Sequence, residues 1–187
     1  NALSTVYLAA QSTYAGGTLL DTTAPKDGIT IGENQIIVRL GTHDALPPTT
    51  VLTIDGGNGS GTGRFAEMNL NGFNQQLAGL NNPVRAGARA ALRRQRVMNS
   101  NVSPYAMLTI RNPGDHTFSG SLGTDTANGS VSAAAMPGST HGNHFGLTKS
   151  GKGTLVLSGT NTYAGETVIQ EGVLSLGSAN PSNDASI

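Results

Sequence analysis

No stretch of this sequence sustains an apolar pattern for more than a few residues before Gly, Asn, Asp or Pro interrupts it. Val6-Tyr7-Leu8, Ile29-Thr30-Ile31, Ile36-Ile37-Val38-Arg39-Leu40, Val51-Leu52-Thr53-Ile54, Met68-Asn69-Leu70, Leu108-Thr109-Ile110, Leu155-Val156-Leu157 and Leu174-Ser175-Leu176 read as short β-type runs with period two rather than 3.6. Strands this short bury little apolar surface alone. They need many neighbours, which leaves a sandwich, a barrel or a stacked solenoid.

Two segments depart from the pattern. Leu70, Phe73, Leu77 and Leu80 have helical spacing, but the glycines at 72 and 79 would each cost a helix about 1 kcal/mol. A turn at Asn71-Gly72 followed by a strand over 75–80 is the better reading. The second segment, 84–98, holds Arg85, Arg89, Arg93, Arg94 and Arg96 among Ala and Leu. Val84, Ala88, Ala91 and Leu92 recur at helical intervals, so a short helix or a long loop excursion is expected there.

Composition narrows the function classes. The 187 residues carry 11 basic and 11 acidic side chains, so the whole chain is no electrostatic binder of nucleic acid. The lack of Cys excludes a disulfide framework and thiol catalysis. No apolar run is long enough to span a membrane as a helix. Charged residues make up only 12%, which suits stacked strands, where like charges on neighbours repel. The sequence starts at Asn1 with no charged and apolar leader, and Ser186-Ile187 looks like the start of a strand. Both ends read as cuts in a longer pattern, with residues 1–187 forming one solenoid segment.

The sequence also repeats itself. Ser12-Thr13-Tyr14-Ala15-Gly16-Gly17-Thr18 recurs 149 residues later as Asn161-Thr162-Tyr163-Ala164-Gly165-Glu166-Thr167, and Val6-Tyr7-Leu8 recurs as Leu155-Val156-Leu157. Residues 147–165, Leu-Thr-Lys-Ser-Gly-Lys-Gly-Thr-Leu-Val-Leu-Ser-Gly-Thr-Asn-Thr-Tyr-Ala-Gly, closely resemble the autotransporter-associated β-strand repeat, also called the passenger-associated transport repeat. Residues 167–177 continue the likeness, and 68–80 and 117–123 look like segments that flank it in large bacterial surface proteins. The resemblance implies a right-handed parallel β-helix that is secreted or displayed on a bacterial surface. It also implies that the missing Cys suits a chain crossing an outer membrane unfolded. It assigns no catalytic residue and no cofactor. Such a solenoid would use about 20–25 residues per turn, giving about eight turns, with Asn and Thr stacked in ladders between them.

Several chemical motifs fail on inspection. Residues 146–152 fit the first seven positions of a phosphate-binding loop, but Gly153 stands where Ser or Thr is needed and a strand follows instead of a helix. Residues 55–61 resemble a calcium-binding turn, but Gly61 replaces the liganding Asp. His141 and His144 lie in a loop-like stretch without a third ligand, with His116 apart, so no metal site is expected. Tyr14 and Tyr163, at equivalent repeat positions, are expected to pack against a corner of their turn.

Three function classes remain. The first is a non-enzymatic extracellular structural or adhesive rod, whose uncapped ends stack head to tail on further units. The second is a module binding an acidic polymer or polysaccharide through the arginines. The third, a polysaccharide-degrading enzyme, is disfavoured: the acidic residues are scattered singly and Trp is absent. The five arginines leave six basic residues against 11 acidic elsewhere, so a neutral chain hides a basic stretch on an acidic rod. An acidic surface of a neighbouring copy is the expected partner, through Asp21, Asp27, Glu33, Asp44, Asp55, Glu166, Glu171 or Asp184.

Overall fold

The computed structural model describes residues 2–22, 34–56, 65–83, 94–101, 103–123, 143–159 and 161–177. All regular structure among them is strand: β1 Ala2–Leu8, β2 Thr18–Asp21, β3 Asn34–Leu40, β4 Val51–Asp55, β5 Phe65–Asn69, β6 Gln75–Leu77, β7 Gly79–Asn81, β8 Arg94–Met98, β9 Ala106–Arg111, β10 His116–Phe118, β11 Ser121–Leu122, β12 Phe145–Ser150, β13 Thr154–Leu157, β14 Thr167–Ile169 and β15 Val173–Leu176. Every strand pairing is parallel. Parallel neighbours cannot be joined by a tight hairpin. The chain therefore travels through other strands before it returns to pair, and the result is a parallel β-solenoid.

Three faces run along it. The first stacks β1, β3, β5, β8 and β11 and is extended by a bridge from Leu122 to Asn161. The second stacks β6, β9, β12 and β14. In the earlier turns it is continued by residues without strand geometry, where the Ser12 N–H donates to Ala45 O at 2.9 Å. The third joins β2-β4-β7 to β10-β13-β15, where Asn82 N–H donates to Thr117 O at 3.3 Å and Asn81 Oδ1 meets His116 Nδ1 at 2.9 Å. Six turns are described, and they are unequal. Ala2 lies opposite Asn34, Ala106 opposite Phe145, and Thr154 opposite Val173, so successive partners are 32, 39 and 19 residues apart. The expected 20–25 residues per turn fits poorly before the last turn. Extra residues between β2 and β3, β4 and β5, β7 and β8, and β11 and β12 lengthen the others.

Two local expectations are revised. The turn at Asn71-Gly72 is present, with φ of +51° and +86°. The strand after it is two strands, because a corner falls at Ala78, whose N–H donates to Thr50 O at 2.8 Å. β6 belongs to the second face and β7 to the third. Residues 94–98 are strand, not helix or loop; 84–93 lie outside the described residues. Over 94–98 the ladder of Val97 on Met68 and Leu122 fixes the strand.

Strand alternation sends every second side chain inward, and register aligns these into columns. Val6, Val38, Met68, Val97 and Leu122 form one; Leu77 and Ile110 sit in a second with Lys149 and Ile169; Phe118, Leu157 and Leu176 form a third. Most of these residues join one continuous buried core with Phe145, Leu147 and Leu155.

Corners are closed by buried polar side chains. Asn69 Oδ1 accepts from the Asn71 and Ser100 N–H groups at 2.9 and 3.1 Å. One turn on, Asn99 Oδ1 accepts from Gly72 and Asn101 at 2.7 and 3.2 Å, while its amide donates to His144 O at 2.7 Å. Asn71 and Asn101 then donate to Leu40 O and Asn71 O, at 2.8 and 2.7 Å. The expected Asn ladder is present, acting through backbone groups that the turns leave without strand partners. Thr18 and Thr50 hydroxyls form a Thr pair at 2.9 Å.

Between the second and third faces the cap is a lysine. Lys149 comes from an inward position and is fully buried. Its Nζ donates to Ser150 O, Gly151 O and Glu171 O at 3.1, 2.7 and 3.0 Å. Burial pushes its pKa below the ordinary lysine value, against the opposing pull of Glu171. Gly151 and Gly172, with φ of +81° and +76°, make the tight corner around it. At the same corner one turn earlier, Asp115 Oδ1 accepts from the Thr154 N–H at 2.7 Å.

Lys149→Met keeps the apolar stem and leaves three carbonyls without their donor. It should lower unfolding free energy by about 1–3 kcal/mol in denaturant titration. A second prediction concerns acid. The Thr154 N–H holds the Asp115 carboxyl below its ordinary value of 3.8. A depressed native pKa means this contribution is present above the unfolded value and is lost as pH falls through the native one. Denaturant midpoints measured across that acid window should fall less steeply in Asp115→Asn than in the wild type.

Candidate functional site

Of the five arginines, Arg85, Arg89 and Arg93 lie outside the described residues, and Arg94 opens β8. Arg96 lies in the middle of β8, on the side of the first face opposite Val97, which faces the core. Its Nε donates to Glu67 Oε2 in an ion pair with the residue directly across the ladder. The carboxylate is fully buried, and the arginine side chain is 12% exposed. Burial pushes the Glu67 carboxyl up, while Arg96 and then Arg39 pull it down. Glu67 was not among the acidic partners expected from sequence. Of those, Asp21 and Asp55 face each other across β2 and β4, and Asp44 Oδ1 accepts from the Gln76 N–H at 2.7 Å. Asp27, Glu33 and Asp184 lie outside the described residues.

The tyrosines of the sequence repeat adopt the same local contact. Each hydroxyl meets the threonine hydroxyl four residues on, Tyr14 with Thr18 and Tyr163 with Thr167. Their packing differs. Tyr163 lies against Phe145 with ring centroids 5.6 Å apart, as expected of a corner residue, whereas Tyr14 is exposed.

At both ends of the described stack, inward columns stop at exposed apolar residues. Val6 is 48% exposed, Ile169 50% and Leu176 38%, although each is in register with a buried residue of the next turn. Leu8 and Leu174 are partly buried against the core beside them. No signal in a single strand marks these residues as ends; only register does.

Residues 146–150 belong to β12 and residues 154–157 to β13, so the loop between them opens no helix. Asp55 is buried at the end of β4, and the glycines after position 56 lie outside the described residues, as does His141. His116 bonds Asn81 within the third face, and His144 O accepts from Asn99. Among the described residues no group of three His, Asp or Glu is placed to hold a metal ion. Nor do the described residues form a helix long and apolar enough to cross a membrane.

Fold and ladders define an all-β parallel solenoid. Residues 147–176 match the passenger-associated-transport-repeat family. The chain is also 52% identical over 40 residues to an extracellular serine protease of Serratia marcescens. That likeness covers 21% of this chain and 4% of the protease. No solved structure matches. The protein thus carries an autotransporter-associated repeat, a structural rather than a catalytic unit, and the repeat includes the most compact of the described turns.

The buried ion pair gives an asymmetric expectation. Arg96→Ala strands a carboxylate in a site that excludes water and should cost about 3–5 kcal/mol. Arg96→Ala with Glu67→Leu removes both charges and should recover most of that loss. Denaturant unfolding of the two variants beside the wild type checks it.

Proposed function

We propose that this protein is a secreted or cell-surface structural rod, non-enzymatic, whose end surfaces stack head to tail on further solenoid turns. The observation that carries the reading is the pair of open ends. Val6, Ile169 and Leu176 continue buried columns in register yet remain 48%, 50% and 38% exposed. The same ends present strand edges, each a template for a parallel neighbour. A surface that must be covered by something shaped like itself favours another solenoid turn, in the same polypeptide or in a second copy. The two ends differ, so the contact is heterologous and propagates without closing.

Support for an extracellular setting comes from the matched transport repeat and from the extracellular relative. The same repeat supports a scaffold over an enzyme, because the residues it contributes cap corners and fill the core.

Sedimentation velocity over a concentration series tests the stacking. The wild-type chain should form elongated species whose size grows with concentration. Val6→Glu and Ile169→Glu place a charge at opposite ends, at positions already half exposed, and each should shift the distribution toward the monomer. A wild-type chain that stays monomeric at its highest soluble concentration overturns the proposal.

A further inference from the structure

The outward side of the second face carries a feature that neither the repeat nor the end surfaces explain. Two adjoining clefts, of about 390 and 500 Å³, run along the corner toward the third face. They share Gln76, Arg111, Gly151 and Glu171. Together they extend from Pro48 and Thr49 in the second turn to Gln170 and Glu171 in the last. With turns about 4.8 Å apart, the groove is roughly 20 Å long.

Its chemistry is polar and repetitive. Gln76 and Thr109 face each other across β6 and β9, and Arg111 faces Ser150 across β9 and β12. These side chains lie on the opposite side of the strands from the buried Leu77, Leu108 and Ile110. An amide or hydroxyl thus recurs at each turn, at a spacing close to the length of one sugar ring. Two cations stand in the groove. Arg111 and Lys152 are exposed, and neither forms an ion pair among the described residues. One acid, Glu171, shares the site, so the cations outnumber it two to one. The groove therefore presents a net positive charge on a floor of hydrogen-bonding groups. Among the described residues that line it there is no aromatic ring on which a neutral sugar could stack.

We infer that this groove binds an extended acidic oligosaccharide, a chain of sugars bearing carboxylates, laid along the solenoid axis. Arg111 takes a carboxylate through its planar fork, Lys152 takes a second as a point charge, and Gln76, Thr109 and Gln170 bond ring hydroxyls. The groove reaches the last turn at Gln170, but its cations Arg111 and Lys152 lie in the two turns before it, so charge-dependent binding here and stacking at the ends can each fail without the other.

The experiment is titration of the chain with oligogalacturonates of increasing length, with neutral dextran oligomers and poly-glutamate alongside. Oligogalacturonate should bind, more tightly as length grows to span the groove, and more weakly as salt is raised. Arg111→Ala with Lys152→Ala should weaken it about tenfold. Both positions are exposed, and an unchanged far-ultraviolet circular dichroism spectrum confirms that the variant is folded. Equal affinity for dextran overturns the proposal, as does binding that the double variant leaves unchanged. Tight poly-glutamate binding without oligogalacturonate binding also overturns it, in favour of an acidic peptide. No binding to any of the three leaves the groove without this role.

Discussion

The structure depends on one constraint: every strand is too short to satisfy or bury itself, and each finds its hydrogen bonds only in the turn before and the turn after. Parallel pairing makes this strict, because no hairpin can supply a local partner. The consequence is one-dimensional. Each turn stabilises its neighbours through a ladder and a column, and little couples turns farther apart. Inward columns such as Val38-Met68-Val97-Leu122 are the side-chain form of the same rule.

Corners are where that rule leaves groups over. A strand's carbonyls and N–H groups pair with neighbouring turns, but the chain must then bend, and the groups at the bend face no ladder. Water cannot reach them all, so buried side chains satisfy them. Asn serves at the first corner because its amide both donates and accepts, linking one turn to the next in a single side chain. At the second corner three carbonyls converge, and a lysine suits them because an ammonium has three donors and no acceptor. The Glu67–Arg96 pair is a different device. It lies between strands on the outward side of the first face, where desolvation consumes much of the attraction, so its worth shows mainly when one partner is removed.

Much of the fold was legible because it is written locally. Period two, Gly and Asn at corners, and the repeat at 147–176 were enough for an all-β solenoid. The turn length was legible only where no extra residues intervene, in the 19-residue step from Thr154 to Val173. What stayed hidden depends on register across unequal turns. Glu67 lies 29 residues from Arg96, and Gln76 lies 33 from Thr109. Nothing in the local pattern fixes those spacings, since each turn carries its own extra length. The split of 75–80 at Ala78 was hidden for the same reason: Leu77 and Leu80 are buried in the same core from different faces.

The two sequence repeats bring these levels together. In the first copy Tyr14 and Thr18 lead into β2, on the third face; in the second, Tyr163 and Thr167 lead into β14, on the second face. The same residues make the same hydroxyl contact one face apart. In both copies the strand before the motif pairs with a strand after it, β1 with β3 and β13 with β15. The motif therefore encodes a corner and a return, not a position around the axis. Which face it occupies is set by the lengths of the intervening turns.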